Sequence, residues 1–332
     1  MPDKPWTVDQ ISQISRSFQG ACVLGAAADL DLFTAFAGQP FTAADAANKL
    51  PADLRAITIL LDALAALELL GKHADRYRVP PTVADVLNSQ KPGNQLAMAQ
   101  HQANCLRRWA QLGAVVKTGC VVARQPSIRG ADADYASFIE AMDNVSGPVA
   151  ATLVADLQPL HFRHLLDVGG GSGTWTIAFL LANPSAHATL FDLPQVMPQA
   201  RDRIGKANLT GRVTLTGGDF YTDRLPAGAD LALVSAIVHQ NSREQNRQLF
   251  ARVFEALASH GQILIRDILM DSSRTTPIAG ALFAVNMLVG TDSGGTYTFD
   301  ELRDDLAAVG FTSPKVLRHD EGMHSVLAAT KA

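Results

Sequence analysis

Residues 165–173 read LLDVGGGSG. An apolar run reaches Asp167 and then meets four glycines, Gly169, Gly170, Gly171 and Gly173, before a helix-compatible stretch from Thr174 to Ala182 that Asn183-Pro184 closes. A short apolar run bounded by turn residues suits a buried parallel strand. Glycine tolerates positive φ and lets a ligand lie against bare backbone. The stretch therefore predicts a strand, a sharp turn and a helix whose first amides face a polar group. Spacing narrows the ligand. A dinucleotide fingerprint puts a third glycine three residues after the second, but three residues beyond Gly171 stands Thr174. No Gly-Lys-Ser/Thr follows, which excludes a phosphate-cradling P-loop. What remains is a nucleotide-like ligand at the carboxyl end of a first strand.

The next landmarks agree. Ala188 to Phe191 (ATLF) predicts a second strand ending in Asp192-Leu193-Pro194. An acid about twenty residues after the glycine turn is positioned to accept hydrogen bonds from ribose hydroxyls. Nicotinamide enzymes use the same device, so Asp192 identifies the ribose rather than the cofactor. Arg212 to Leu215 (RVTL) predicts a third strand, followed by Gly217-Gly218-Asp219-Phe220, where an acid and an aromatic ring suit an adenine amino group and an adenine face.

From about Leu165 to the C-terminus, LLDVGGGSG with FDLP and GGDF resembles class I S-adenosylmethionine-dependent methyltransferases, in particular the two-domain small-molecule O-methyltransferases of the plant caffeate, acetylserotonin and bacterial natural-product type. The resemblance implies an α/β fold: a Rossmann-like, mostly parallel seven-stranded sheet ending in an antiparallel hairpin, preceded by a mainly α, winged-helix-like dimerisation domain. It divides the chain into a dimerisation domain (1–92), a helical linker contributing to the acceptor pocket (93–150) and a cofactor-binding catalytic domain (151–332). It also implies S-adenosyl-L-methionine as cofactor. By analogy Gly169 and Gly171 line its methionine end, Asp192 and Leu193 the ribose, and Asp219 and Phe220 the adenine, with Ser146, Asp167 and Ser235 among the cofactor-contacting positions.

Asp230 to Val238 (DLALVSAIV) predicts a fourth strand that delivers His239 at its carboxyl end, the end that faces the ligand crevice in open α/β sheets. The resemblance makes His239 the general base. A phenol titrates near about 10 and a free imidazole near about 6.5, so the proton is best taken during attack on the methyl group. Gly261 to Leu269 (GQILIRDIL) predicts a fifth strand carrying Asp267, which by analogy holds the tautomer of the base. Asp is shorter than the Glu usual in the plant enzymes, so a looser or water-bridged contact is expected. Three positions depart from the family pattern. His239-Gln240-Asn241 stands for His-Asp-Trp, Ser235 for a Lys four residues before the base, and Thr296 for a second supporting Glu. The cofactor frame is complete and the catalytic frame thinner. That leaves open C-methylation, other cofactor chemistry, or a degenerate ligand-sensing protein.

By resemblance the acceptor pocket draws Phe138, Met142 and Asn144 from one helix and Phe283, Asn286 and Met287 from another; Met and Phe at helical spacing also suit ordinary core. A long helix is expected from Asn94 to Lys117. Upstream, helical patterns run from Val8 to Leu30, Thr42 to Leu50 and Ala52 to Leu70, with Pro51 in the first turn of the third, and residues 71–79 alternate like a hairpin. Three helices and a hairpin raise DNA binding as a rival, and charge decides against it. The first hundred residues carry eight Lys and Arg against ten Asp and Glu, the wrong sign for phosphate. A homodimer is implied instead.

A net charge of -4 over 332 residues implies neither nucleic acid nor an anionic membrane as partner, and leaves a small-molecule acceptor. The opening MPDKPWTVDQ has no apolar targeting core and no apolar run nears the ~18 residues of a membrane span, so a cytoplasmic protein is expected. Cys22, Cys105 and Cys120 show no metal-like spacing and read as small buried side chains; no metal is expected.

Overall fold

A computed structural model describes residues 5–332; the opening MPDK, including Lys4, lies outside the described residues. The chain forms two compact units, residues up to Ala110 with Ala123–Asn144, and Gln111–Val122 with Val145–Ala332.

The first unit holds helices α1 (Val8–Arg16), α2 (Phe18–Asp29), α3 (Leu32–Ala35), α4 (Ala43–Lys49), α5 (Leu54–Ala66), α6 (Pro81–Leu87) and α7 (Leu96–Trp109). Strands β1 (Phe41–Thr42), β2 (Gly71–His73) and β3 (Arg76–Arg78) form an antiparallel sheet in the order β1-β3-β2. Phe33, Phe41, Ile57, Leu61, Leu64 and Tyr77 close its core. Two expected boundaries move. The Val8–Leu30 helix divides at Ser17, whose hydroxyl donates to the Ile14 carbonyl and competes with the helical ladder. The third helix begins at Leu54, because the Asp53 carboxylate accepts from the Ala56 amide and caps it; Pro51 therefore lies outside. The helix expected over Asn94–Lys117 is likewise two, α7 and α8 (Leu112–Thr118), the latter in the second unit. Residues 131–144 of helix α9 (Ala131–Asp156) belong to the first unit and the remainder to the second.

The second unit is built on β4 (His164–Val168), α10 (Thr174–Ala182), β5 (His187–Asp192), α11 (Met197–Lys206), β6 (Val213–Gly217), β7 (Ala229–Ser235), α12 (Arg243–Ala256) and β8 (Leu257–Asp267). Then come β9 (Leu269–Met270), α13 (Ile278–Gly290), β10 (Tyr297–Thr298), α14 (Phe299–Ala307), β11 (Phe311–Arg318) and β12 (Ser325–Lys331). Seven strands order as β11-β12-β8-β7-β4-β5-β6. All pairs are parallel except those of β12, which runs antiparallel to β8 and β11.

Side chains alternate across the sheet with period two. Leu165, Leu233 and Leu264 meet Val154, Phe179 and Ile204 on one face; Leu166, Val234, Ile263 and Ile265 meet Phe250, Leu302 and Leu306 on the other. The same alternation sends Asp167, Ser235 and Arg266 to the first face and Asp267 to the second. Strand order reverses at β4, which opens a crevice beyond the carboxyl ends of β4 and β7.

Two further expectations are corrected. The strand expected to run to Val238 stops at Ser235: the Ala236 amide makes the last rung to the Arg266 carbonyl, and the φ of +56 at Ala236 then turns the chain out of the sheet. His239 therefore rides on a short 3-10 turn, Val238–Gln240, instead of the strand end. Of the cysteines only Cys105 is buried; Cys22 and Cys120 are exposed. Among the described residues no helix is long and apolar enough to cross a membrane.

Candidate active site

The glycine turn closes with little room to spare. Gly169, Gly171 and Gly173 all take positive φ. The Gly169 amide donates to the Phe191 carbonyl at 2.7 Å, and a Cβ there would stand 2.5 Å from Ile237 Cδ1. A Cβ on Gly170 would stand 2.7 Å from Leu190 Cγ. Gly171 differs: a Cβ there meets nothing within 4 Å, so its bare backbone faces open space. Its amide donates to Asp192 Oδ2 at 2.7 Å, while Asp192 Oδ1 accepts from the Leu193 amide. Burial raises the Asp192 carboxyl above the ordinary range against the pull of those two amides.

Asp167 is fully buried. Oδ2 accepts from the Thr176 hydroxyl at 2.6 Å, and Oδ1 has no partner. Burial pushes its carboxyl up to about 6. Beyond β6, the Tyr221 amide donates to Asp219 Oδ1 at 2.8 Å, leaving Oδ2 free of that turn, and Phe220 packs 4.5 Å from Tyr221, centroid to centroid.

At the other side of the crevice stands His239, 7 % exposed. Nδ1 lies 2.9 Å from each oxygen of Asp267, so the looser contact expected for the shorter acid is not what the fold makes: the pairing is direct. The turn after β7 brings His239 back over β8, which makes up for the missing methylene. A carboxylate only accepts, so Nδ1 carries the proton and Nε2 is left as the acceptor. The Asp267 carboxylate also takes the Ile268 amide at 2.8 Å. The Phe283 ring meets the imidazole edge-on at 4.9 Å. The Gly295 amide donates to the His239 carbonyl at 2.9 Å, and a Cβ on Gly294 would fall 2.5 Å from that oxygen. Thr296, next in the chain, is buried.

Several residues missed in the sequence complete this frame. Asn241, fully buried, accepts from the Tyr221 hydroxyl and donates to Asn246 Oδ1 at 3.0 Å, and its carbonyl accepts from Tyr297. The amide thereby ties the turn carrying His239 to the loop carrying Asp219 and Phe220. Arg266, 3 % exposed, donates from Nε to Ser235 Oγ at 2.7 Å and rests 4.5 Å over the Trp175 ring. A charged side chain inside ILIRDIL is the signal that could have found it. Ser235 is thus engaged by Arg266. Of the other positions, Ser146 is half-buried on α9 and Leu193 is exposed. Phe138, Met142 and Asn144 lie in the first unit, where Asn144 Nδ2 donates to the Asn94 carbonyl at 3.0 Å. Asn286 is half-buried and Met287 is buried, both on α13 with Phe283.

A family model described as the O-methyltransferase domain matches residues 125–312, and one described as the O-methyltransferase dimerisation domain matches residues 13–87. The chain is 33% identical over 310 residues to the tetracenomycin polyketide synthesis 8-O-methyl transferase TcmO of Streptomyces glaucescens, covering 91% of each. It is 34% identical over 319 residues to the 3-hydroxy-5-methyl-1-naphthoate 3-O-methyltransferase of Streptomyces sahachiroi, covering 93% of this chain and 91% of that one. With the N,N-dimethyltransferase OxyT of Streptomyces rimosus the identity is 31% over 320 residues, covering 93% and 92%. Among solved structures, PigF with S-adenosylhomocysteine superposes with a TM-score of 0.88 at 24% identity over 98% of this chain and 100% of that one. The chain belongs to the S-adenosylmethionine-dependent O-methyltransferase family.

Proposed function

We propose that this protein moves the methyl group of S-adenosylmethionine to a hydroxyl of a small aromatic or polyketide-like acceptor, with His239 as general base and Asp267 as the residue that positions it. The observation that carries the reading is the buried pair itself: both Asp267 oxygens at 2.9 Å from Nδ1 leave Nε2 as a proton acceptor on the turn just beyond β7. When bound, the cofactor supplies an electrophilic methyl group on a sulfonium sulfur. His239 Nε2 takes the hydroxyl proton as the oxygen attacks, and Asp267 balances the imidazolium that forms. Such base catalysis typically contributes about 10²–10⁴-fold, and holding the oxygen in line supplies much of the rest.

The residues fit the cofactor on two counts. Gly171 presents open backbone where any side chain would intrude, and Asp167 Oδ1 is a buried acceptor without a donor, suited to an ammonium group. We assign the ribose hydroxyls to Asp192 and Leu193, the adenine to Asp219 and Phe220, the methionine end to Asp167, Gly169 and Gly171 with Ser146, and the acceptor to Phe283, Asn286 and Met287.

An amine acceptor, suggested by the similarity to OxyT, has less need of a base: a neutral amine attacks without first losing a proton. The His239–Asp267 pair favours oxygen. A screen of phenols, aryl amines and heteroaromatics by mass gain of one methyl group decides between them, and methylation of amines alone would overturn the hydroxyl assignment. We further propose that the first unit forms a homodimer, supported by the dimerisation-domain match.

A further inference from the structure

The guanidinium of Arg266 is an unusual object: a cation 3 % exposed that makes no ion pair with any described residue. All the partners it has are neutral. Nε donates to Ser235 Oγ at 2.7 Å, Nη1 to the Met323 carbonyl at 3.1 Å and to His324 Nδ1 at 2.9 Å, and the plane rests on Trp175. Nη2 has no hydrogen bond to any described residue. Asp267, Asp167 and Asp320 are near enough to act on its charge, yet none of them pairs with it; a buried cation without a paired anion is costly, and the cost falls if a ligand brings one. The same face of the sheet carries the complementary defect in Asp167, fully buried, with Oδ1 unpartnered. Asp167 and Arg266 feel each other's charge yet do not pair. Trp175 lies in the first turn of α10, two residues after the last glycine of the turn, so the guanidinium is held against the end of the crevice where that turn begins its helix.

An orphaned anion and an unpaired cation on one face fit a ligand carrying both charges. Resting on the cofactor reading above, we infer that Arg266 is the residue that binds the carboxylate of the amino-acid end of S-adenosylmethionine, through Nη2, while Asp167 Oδ1 takes its ammonium group. Ser235 acts through Arg266: it fixes Nε and so aims the fork. A planar guanidinium held on one edge and on one face keeps little freedom to lose on binding.

Calorimetric titration with two probes tests this. S-adenosylhomocysteine carries the zwitterion; 5′-methylthioadenosine is the same nucleoside thioether without it. Arg266→Gln is expected to weaken S-adenosylhomocysteine by about 10–100-fold, the range of a hydrogen bond to a charged group, and to leave methylthioadenosine within threefold. Equal loss for both probes, or no loss for either, overturns the assignment, the first because the guanidinium then only braces the fold. Should that variant fail to fold, the wild-type protein still decides: the carboxamide of S-adenosylhomocysteine is expected to bind about tenfold or more weaker than the acid, and equal affinity overturns the assignment. If wild-type protein binds neither nucleoside, the cofactor reading falls, and Arg266 with it, a result distinct from selective indifference to the carboxylate.

Discussion

Burial without a partner for Oδ1 raises the Asp167 carboxyl to about 6, against about 3.9 for a free aspartate. The sign follows from linkage. Between those values the folded chain binds more protons than the unfolded one, so this group's contribution to stability is fully present below about 3.9 and is lost as pH rises through about 6. Asp167→Asn removes the titration. The stability difference, variant minus wild type in urea melts, is expected to rise between about pH 4 and 6 and to stay flat above. A flat difference throughout would show that Asp167 does not titrate there. The same variant should bind S-adenosylhomocysteine more weakly, a case of a binding group kept at a cost in stability. His239→Ala is expected to lower turnover by about 10²–10⁴-fold with S-adenosylhomocysteine affinity within threefold. Wild-type turnover would move the base elsewhere. Asp267→Asn, which leaves the imidazole free to take the wrong tautomer, is expected to lower turnover over a similar range, about 10²–10⁴-fold.

At the scale of elements, the glycine turn separates two demands. Gly169→Ala meets Ile237 at 2.5 Å and a φ of +68, so folding suffers first. Gly171→Ala, at φ +55 with nothing within 4 Å, is expected to cost only about 1–2 kcal/mol of stability yet to block S-adenosylhomocysteine in calorimetry. Undiminished affinity in Gly171→Ala would show that no ligand crosses that backbone. Strand β4, the turn and α10 were legible because continuous apolar runs and glycine spacing are local signals. Other boundaries rested on contacts that a linear reading does not contain. The end of β7 at Ser235 follows from the positive φ that Ala236 takes once its amide has made the last rung to Arg266 on the neighbouring strand, whereas the start of α5 is a local signal, the Asp53 cap three residues before Ala56. A run such as SAIVHQ is apolar enough to continue a strand, and only the neighbour decides that it turns.

For the molecule as a whole, α1 buries none of its side chains: Val8, Ile11 and Ile14 are exposed, as is Phe18 just beyond. A helix polar on one side and apolar on the other, with its apolar side bare, suits a partner surface. Sedimentation of the full chain is expected to give twice the mass of one chain, and Ile11→Glu with Ile14→Glu to shift it to the monomer with little change in melting temperature, since neither position packs in the core. A wild-type monomer at micromolar concentration would count against the dimer.

The glycine spacing and the three acids following successive strands were enough for an α/β unit that binds a nucleotide-like ligand, and the family resemblance they carry implied the cofactor and the roles of His239 and Asp267, because each signal lies in a few neighbouring residues at a strand's carboxyl end. The directness of that pair, the Asn241 tie between the two loops, and an unpaired Arg266 on the same face of the sheet as the orphaned oxygen of Asp167 came only with the packed chain. Those depend on distances between side chains far apart in sequence, 20 residues for Tyr221–Asn241, 31 for Ser235–Arg266 and 99 for Asp167 and Arg266, which strand order and the turn after β7 set.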